Sequence, residues 1–250
     1  MDAGITLTHF ICMGWVRNYS TSILVFDIFQ FFLLLNHRLL SIILEKVGFD
    51  FHVVQFFSNY LCERKTQYFW NNFSSPLFDI NIEVGQESAL SPILSVLYLL
   101  PFLHILENQL KNLKIPIPIS FLSFVDDGLL VSQSKSFHVS NSHLFYSYNV
   151  ISKFILDFGL VVEHSKTKIF HFSRSIGLFN PPPLDLSPIG GPILHSKETW
   201  KYLGFIFDKK LSFHHHINFY VNKSISMVKC MKLLGNSVWR LNLHQKHLLY

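Results

Sequence analysis

Two adjacent carboxylates, Asp126 and Asp127, stand in "SFVDDGLLVSQ" between two apolar runs, with a glycine directly after them. Like charges held that close raise each other's pKa and cost free energy unless a cation or a basic partner offsets them. A third acid, Asp27, closes the apolar run "ILVFD", where a buried carboxylate without a partner is equally costly. Such acids suit a hard divalent cation, because Mg²⁺ is held by one or two carboxylates together with waters and substrate phosphates. Two such ions, about 3.5 to 4 Å apart, clamp the attacking and leaving oxygens of a phosphoryl displacement, which explains acids rather than His or Cys. The run His214 to His216 offers no comparable site. Three consecutive residues cannot all face one ion on a helix, so a solvated turn is expected there.

The acids need strands to hold them. Phe121 to Val125 and Leu129 to Val131 read as short strands joined by a tight turn, since an Asp-Gly step between β-rich apolar runs is a hairpin signal. Ile23 to Ile28 reads as a buried strand. Asn36 then caps a helix with Leu39, Leu40, Ile43, Leu44 and Val47 on one face, ended by Gly48. A second helix is expected over His52 to Leu61, and Gln67 to Phe73 and Phe78 to Val84 alternate like paired strands. Ser91 and Pro92 supply an N-cap and a first-turn proline for a helix running towards Leu110, with a kink at Pro101. After the hairpin come a helix from about Ser142 to Phe158, a strand over Ile169 to Phe172, and a Pro- and Gly-rich loop, "NPPPLDLSPIGGP", as the domain boundary. "WKYLGFIFD" reads as strand and His216 to Leu234 as helix. This order predicts an α+β fold, a split βαβ, ferredoxin-like sheet with helices on one face. On that sheet Asp27 and the hairpin tip become neighbours although 99 residues separate Asp27 from Asp126.

Composition bounds the partners. The chain has 250 residues, 49% of them apolar, enough for one large or two modest cored domains. The longest apolar stretches, Ile93 to Leu106 and Ile23 to Leu35, fall short of the ~20 residues a spanning helix needs, so no membrane partner is expected. No secretory signal opens the chain, and an intracellular location, nuclear or cytoplasmic, is expected. Cys12, Cys62 and Cys230 share no ligand-type spacing and indicate neither a disulfide framework nor a zinc site. Residues 1 to 125 hold 7 Lys and Arg against 9 Asp and Glu, net −2, whereas residues 126 to 250 hold 14 against 7, net +7. A basic half interleaved with Tyr, Phe and His suits a phosphate backbone. Nothing in the pattern specifies an oligomeric state.

Five ordered blocks resemble the reverse transcriptase domain of non-LTR retrotransposons, from about Ser22 to the C-terminus. "FDIFQFFLLLNH" resembles the first catalytic block, which implies Asp27 as a metal ligand and Phe32 as the aromatic gate beneath the nucleotide's sugar. "VGQESALSPIL" resembles the Gln-Gly-Ser block of the nucleotide and template pocket, through Gln86, Ser88, Ser91 and Pro92. "FVDD" resembles the aromatic-x-Asp-Asp hairpin, which makes Asp126 and Asp127 catalytic metal ligands with Asp27. "GLVVEHSKTKIF" is similar to the next block, where Lys166 approaches the triphosphate, and "WKYLGFIFD" looks like the primer-grip hairpin, implying Trp200, Tyr202, Leu203 and Gly204 on the primer. Alone, each has a plainer meaning. Asp-Asp before Gly marks an ordinary turn, Phe32 core, Lys166 surface, and Trp200 and Tyr202 a packed strand. Their order and spacing carry the resemblance.

The resemblance implies an RNA-directed DNA polymerase that uses two Mg²⁺ or Mn²⁺ ions, an RNA template, a DNA primer and deoxynucleoside triphosphates. It divides the chain into residual fingers over 1–22, a palm over 23–192, and a primer-grip hairpin with a partial, truncated helical thumb over 193–250. Only about 22 residues precede the first block, and Glu87 stands where the family has Gly. The expectation is therefore a fragment with little or no activity, and the alternative a catalytically dead remnant that at most binds nucleic acid.

Overall fold

A computed structural model describes residues 2–71, 73–80, 90–112, 119–124, 127–174 and 181–235. Helix α1 (Asp2–Val16) leads into strand β1 (Ser20–Asp27), followed by helices α2 (Phe31–Leu34), α3 (His37–Val47) and α4 (Phe51–Leu61). Four two-residue strands come next: β2 (Lys65–Thr66), β3 (Phe69–Trp70), β4 (Phe73–Ser74) and β5 (Phe78–Asp79). Helix α5 (Ser91–Asn112) precedes the hairpin of β6 (Ile119–Phe124) and β7 (Asp127–Ser134), then helix α6 (Phe137–Asp157) and strand β8 (Lys168–Phe172). The described chain ends with β9 (Leu184–Asp185), β10 (Ile193–Leu194), β11 (Thr199–Tyr202), β12 (Phe205–Asp208) and helix α7 (His214–Gly235).

The central sheet has the order β6-β7-β1-β8, every neighbouring pair antiparallel. This is the split βαβ arrangement, with β7 inserted between β1 and β6. β1 and β7 are each buried at six consecutive positions, because both faces of the sheet are covered. That double burial is why "SILVFD" and "GLLVSQ" show no polar alternation. Leu24, Phe26, Ile28, Leu130 and Ile169 face a core completed by α3, α4, α5 and α6. Ile23, Val25, Leu129, Val131, Phe170 and Phe172 face a second core, closed by Leu7 and Ile11 of α1 and by Trp200, Tyr202 and Phe207 of the β11–β12 hairpin.

Local chemistry sets the element ends. The Asn36 side chain accepts the Leu39 N–H at 3.0 Å and starts α3, and Gly48, at φ 95°, ends it in the left-handed conformation glycine tolerates. The Asp50 side chain accepts the His52 N–H at 2.8 Å and starts α4. Helix α5 runs through Pro101.

Several expectations need correction. Asp127 and Gly128 are not turn residues, since β7 begins at Asp127, and Gly128 pairs with both Phe26 and Ser123. The glycine serves packing: a Cβ there would collide with the Phe26 ring. Gln67 to Phe73 is not one strand; β3 and β4 fold back within it, and β2 pairs with β5 around them, while positions 81–84 lie outside the described residues. Helix α6 starts at Phe137 rather than Ser142, because Phe137, Ser140 and Asn141 are already buried. The Pro- and Gly-rich stretch is not all loop: it contains β9, which pairs with β10 just after it, and its Leu184 and Leu186 pack in the first core. His214 to His216 open α7 rather than a turn, because the His216 Nδ1 accepts the Ile206 N–H at 3.2 Å and its ring stacks on Phe205.

Candidate active site

Asp27 is the last residue of β1 and Asp127 the first of β7, and the two are register partners. In an antiparallel pair this places their Cα atoms about 5 Å apart. Both fall in alternation with Val25 and Leu129, so both carboxylates lie on the second-core face, where that face runs out at the sheet's end. Lys168, opposite Val25 on β8, reaches the same face. A cavity of about 250 Å³ forms there, lined by Asp27, Asp127, Lys166, Lys168, Trp200, Lys201, Tyr202 and Leu203 among others. Two larger cavities, of about 480 and 820 Å³, are lined by no acid among the described residues, so chemistry rather than volume picks out the site.

The loop after α6 supplies the cation. Ile28 bridges to Val162, the Phe29 N–H donates to the Val161 carbonyl at 2.8 Å, and the Glu163 N–H donates to the Asp27 carbonyl at 2.9 Å. These links extend β1 past Asp27 and fix the helical turn His164–Lys166 beside it. The Lys166 Nζ then donates to Asp27 Oδ2 at 2.8 Å and pairs with Glu163 Oε2 at 2.7 Å. Both carboxylates hold the ammonium well above the usual lysine range, with Asp27 the larger cause. The hydrogen bond from Lys166 in turn lowers the Glu163 carboxyl.

The hairpin closes the opposite wall. Leu203 and Gly204, at φ 45° and 87°, form a two-residue turn of the type whose twist matches a hairpin. The Tyr220 hydroxyl fixes it by donating to the Gly204 carbonyl at 2.8 Å. Trp200 and Tyr202 stack on each other at 4.8 Å, and Trp200 stacks on Phe170 at the same distance. Burial, and then the negative Asp127, push the Tyr202 phenol up to about 12.

The structure thus brings Asp27, Asp127, Lys166, Trp200, Tyr202 and Leu203 around one cavity. Phe32 stays on α2, half-buried against the first core and 5.5 Å from the Phe31 ring, and does not line it. Asp126, Gln86, Glu87 and Ser88 lie outside the described residues. Ser91 begins α5, with Pro92 next to it in the first turn. Sequence reading missed Glu163, Lys168 and Lys201. Glu163 had a signal, its i,i+3 spacing to Lys166, whereas the two lysines are placed by sheet and hairpin register, which spacing does not reveal. Among the described residues no three His, Cys, Asp or Glu gather as a metal cluster, and no helix is long and apolar enough to cross a membrane.

The chain is similar in fold to telomerase from Candida tropicalis in complex with a TWJ fragment of telomeric RNA, with a TM-score of 0.55 at 12% identity over 83% of this chain. It is similar also to apo telomerase from the same organism, with a TM-score of 0.51 at 13% identity over 77% of this chain. It spans only 32% of either telomerase chain. At such identities the likeness shows the fold alone, an α+β palm and fingers. No curated protein matches. The profile of the reverse transcriptase (RNA-dependent DNA polymerase) family, however, matches residues 7–207, a span that takes in the sheet, the loop carrying Lys166 and most of the aromatic hairpin, and the chain therefore belongs to that family.

Proposed function

We propose that the chain is the palm, with parts of the fingers and thumb, of an RNA-directed DNA polymerase from a non-LTR retroelement, acting inside the cell. It would extend a DNA primer with deoxynucleoside triphosphates on an RNA template. The observation that carries this reading is the register pairing of Asp27 with Asp127 at the edge of a cavity whose far wall is the aromatic hairpin. Membership of the family supports the polymerase, and the order of the "VGQESALSPIL" and "GLVVEHSKTKIF" blocks supports the retroelement type.

The donor set fits divalent metal. Asp27 and Asp127 offer hard carboxylate oxygens, and a cation, the Lys166 ammonium, already sits on Asp27. Asp27, Asp127 and Asp126 would hold two ions, which when bound supply activation of the primer 3′-hydroxyl and neutralisation of the leaving pyrophosphate. Lys166 and Lys168 would orient the triphosphate beside the acids. Trp200, Tyr202, Leu203 and Gly204 would hold the primer end against the acids, and Gln86 and Ser88 the nucleotide. The net +7 of residues 126 to 250 supports an electrostatic grip on template and primer.

Primer extension on an RNA template, with Mg²⁺ or Mn²⁺, tests the reading. The expected result is weak, metal-dependent, template-directed extension that Asp127→Asn abolishes. Glu87, a side chain where close approach of backbone to nucleotide calls for glycine, favours a second reading, nucleic-acid binding without catalysis. Salt-sensitive binding with no extension at matched folded concentration would select that second reading.

A further inference from the structure

Lys166 is held by two carboxylates at once, and only one of them belongs to the acid pair across the strands. Its Nζ lies 2.8 Å from Asp27 Oδ2 and 2.7 Å from Glu163 Oε2. Glu163 cannot drift from this place, because its N–H is bonded to the Asp27 carbonyl and the neighbouring Val162 bridges Ile28. Nor is the ammonium trapped. The Lys166 side chain is 57% exposed, against 20% for Asp27 and 24% for Glu163, so it is free to swing while its two partners stay fixed.

On the polymerase reading above, Asp27 must take a divalent ion. An ammonium 2.8 Å from that carboxylate repels a dication arriving beside it, so the two compete for Asp27. We propose that Glu163 is a positioning residue that parks Lys166. Without metal the ammonium bridges Asp27 and Glu163 and offsets part of the charge of the acid edge; when a divalent ion takes Asp27, the ammonium pivots onto Glu163 alone and stays at the cavity rim. Glu163 thereby lowers the cost of clearing Asp27 for metal. It also keeps a cation within reach of an incoming phosphate. The other charged groups lining the cavity, Asp127, Lys168 and Lys201, are carried by strands.

The test is Mn²⁺ affinity of the full chain, read from the electron paramagnetic resonance signal of free Mn²⁺ at fixed pH and salt. Removing the competing ammonium with Lys166→Met tightens binding about two- to fivefold, the range that exposed ion pairs reach. Glu163→Gln weakens binding by a similar factor, because the ammonium is left with Asp27 alone. In the Lys166→Met background Glu163→Gln changes nothing, and this non-additivity is the signature of a residue acting through another. Lys168→Met, which removes the same charge from the same cavity, shifts affinity less than Lys166→Met. Lys166→Gln replaces the Met variant if circular dichroism shows the latter misfolded. Equal weakening by Glu163→Gln in both backgrounds would make Glu163 a direct ligand and overturn the parking role, as would unchanged affinity in Lys166→Met. Failure of the polymerase reading looks different: Asp27→Asn and Asp127→Asn would then bind Mn²⁺ as the unmodified chain does.

Discussion

The two ends of β1 carry polar residues of opposite kinds. At its start Ser20, Thr21 and Ser22 pair with Ser134, Gln133 and Ser132 of β7, and at its finish Asp27 pairs with Asp127. The first end is neutral and closed. The Ser22 hydroxyl and the His171 Nδ1 share a 2.7 Å hydrogen bond, and the Gln133 amide donates to the Phe10 carbonyl of α1 at 2.6 Å. Thr21, Ser22, Gln133 and His171 are all buried. The second end is charged and open, and its Asp27 is paired with a lysine from a loop. Burying neutral hydroxyls and amides with partners costs little, whereas burying paired carboxylates costs several kcal/mol per ion. The serine end can therefore be a structural seam, and the acid end repays its placement only through a cation. Charge and exposure, not polarity, separate the two.

The largest expected effect sits at the acid end. Asp127→Asn keeps the size of the side chain and removes the charge, and it is expected to cut nucleotide incorporation at least about a hundredfold. Loss of incorporation together with loss of fold would blur the distinction between the ends.

Next comes a pH effect at the serine end. Burial, and then the positive Lys209, lower the His171 imidazole to about 4. An unfolded histidine takes up its proton near pH 6.5, so the unfolded state binds more protons between those values. Stability is therefore complete above about pH 6.5 and is lost as pH falls towards 4, by about 3 kcal/mol in all. Denaturant melts across that window should show the loss. Replacing both partners, with Ser22→Ala and His171→Leu, should flatten it.

Gly128→Ala tests whether the acid edge depends on packing behind it. The Phe26 ring occupies the space of that Cβ, stacks on Phe121 and meets Tyr148 edge-on, so the new methyl overpacks the core. A loss of about 1–3 kcal/mol is expected in denaturant melts. The smallest effect concerns Glu87. Removing its charge and side chain with Glu87→Gly should raise incorporation about fivefold, from roughly 1 kcal/mol of relieved repulsion. Unchanged incorporation would place its side chain away from the nucleotide.

These ends were unequally legible in the sequence. The acids showed because charged residues break apolar runs at Asp27 and Asp127, and α3 showed because Asn36, its apolar spacing and Gly48 agree. The seam did not show, since Ser, Thr and Gln in a strand look alike whether solvated or buried. Helix α1 was missed for a related reason. Its apolar residues do not gather on one face, and its contact with the sheet depends on Gly14, where a Cβ would collide with Gln133 and Thr21. Gly128 was read as a turn residue because the glycine lies beside an acid, while its actual reason, the Phe26 ring, comes from a strand about a hundred residues earlier. Glu163 showed only its spacing to Lys166, and the fold alone places it against Asp27.

Oxidative cleavage by Fe²⁺, substituted for Mg²⁺ in the presence of ascorbate and peroxide, tests the central claim most directly, because hydroxyl radicals cut the chain where the metal sits. The seven-residue rise from Ser20 to Asp27 separates the ends by about 23 Å, far enough to resolve them. The account predicts cuts around residues 26–29, 125–128 and 162–166, absent in Asp27→Asn and Asp127→Asn, with the serine end intact. Cuts confined to the serine end or to His214–His216, or a pattern that both substitutions leave unchanged, would contradict it.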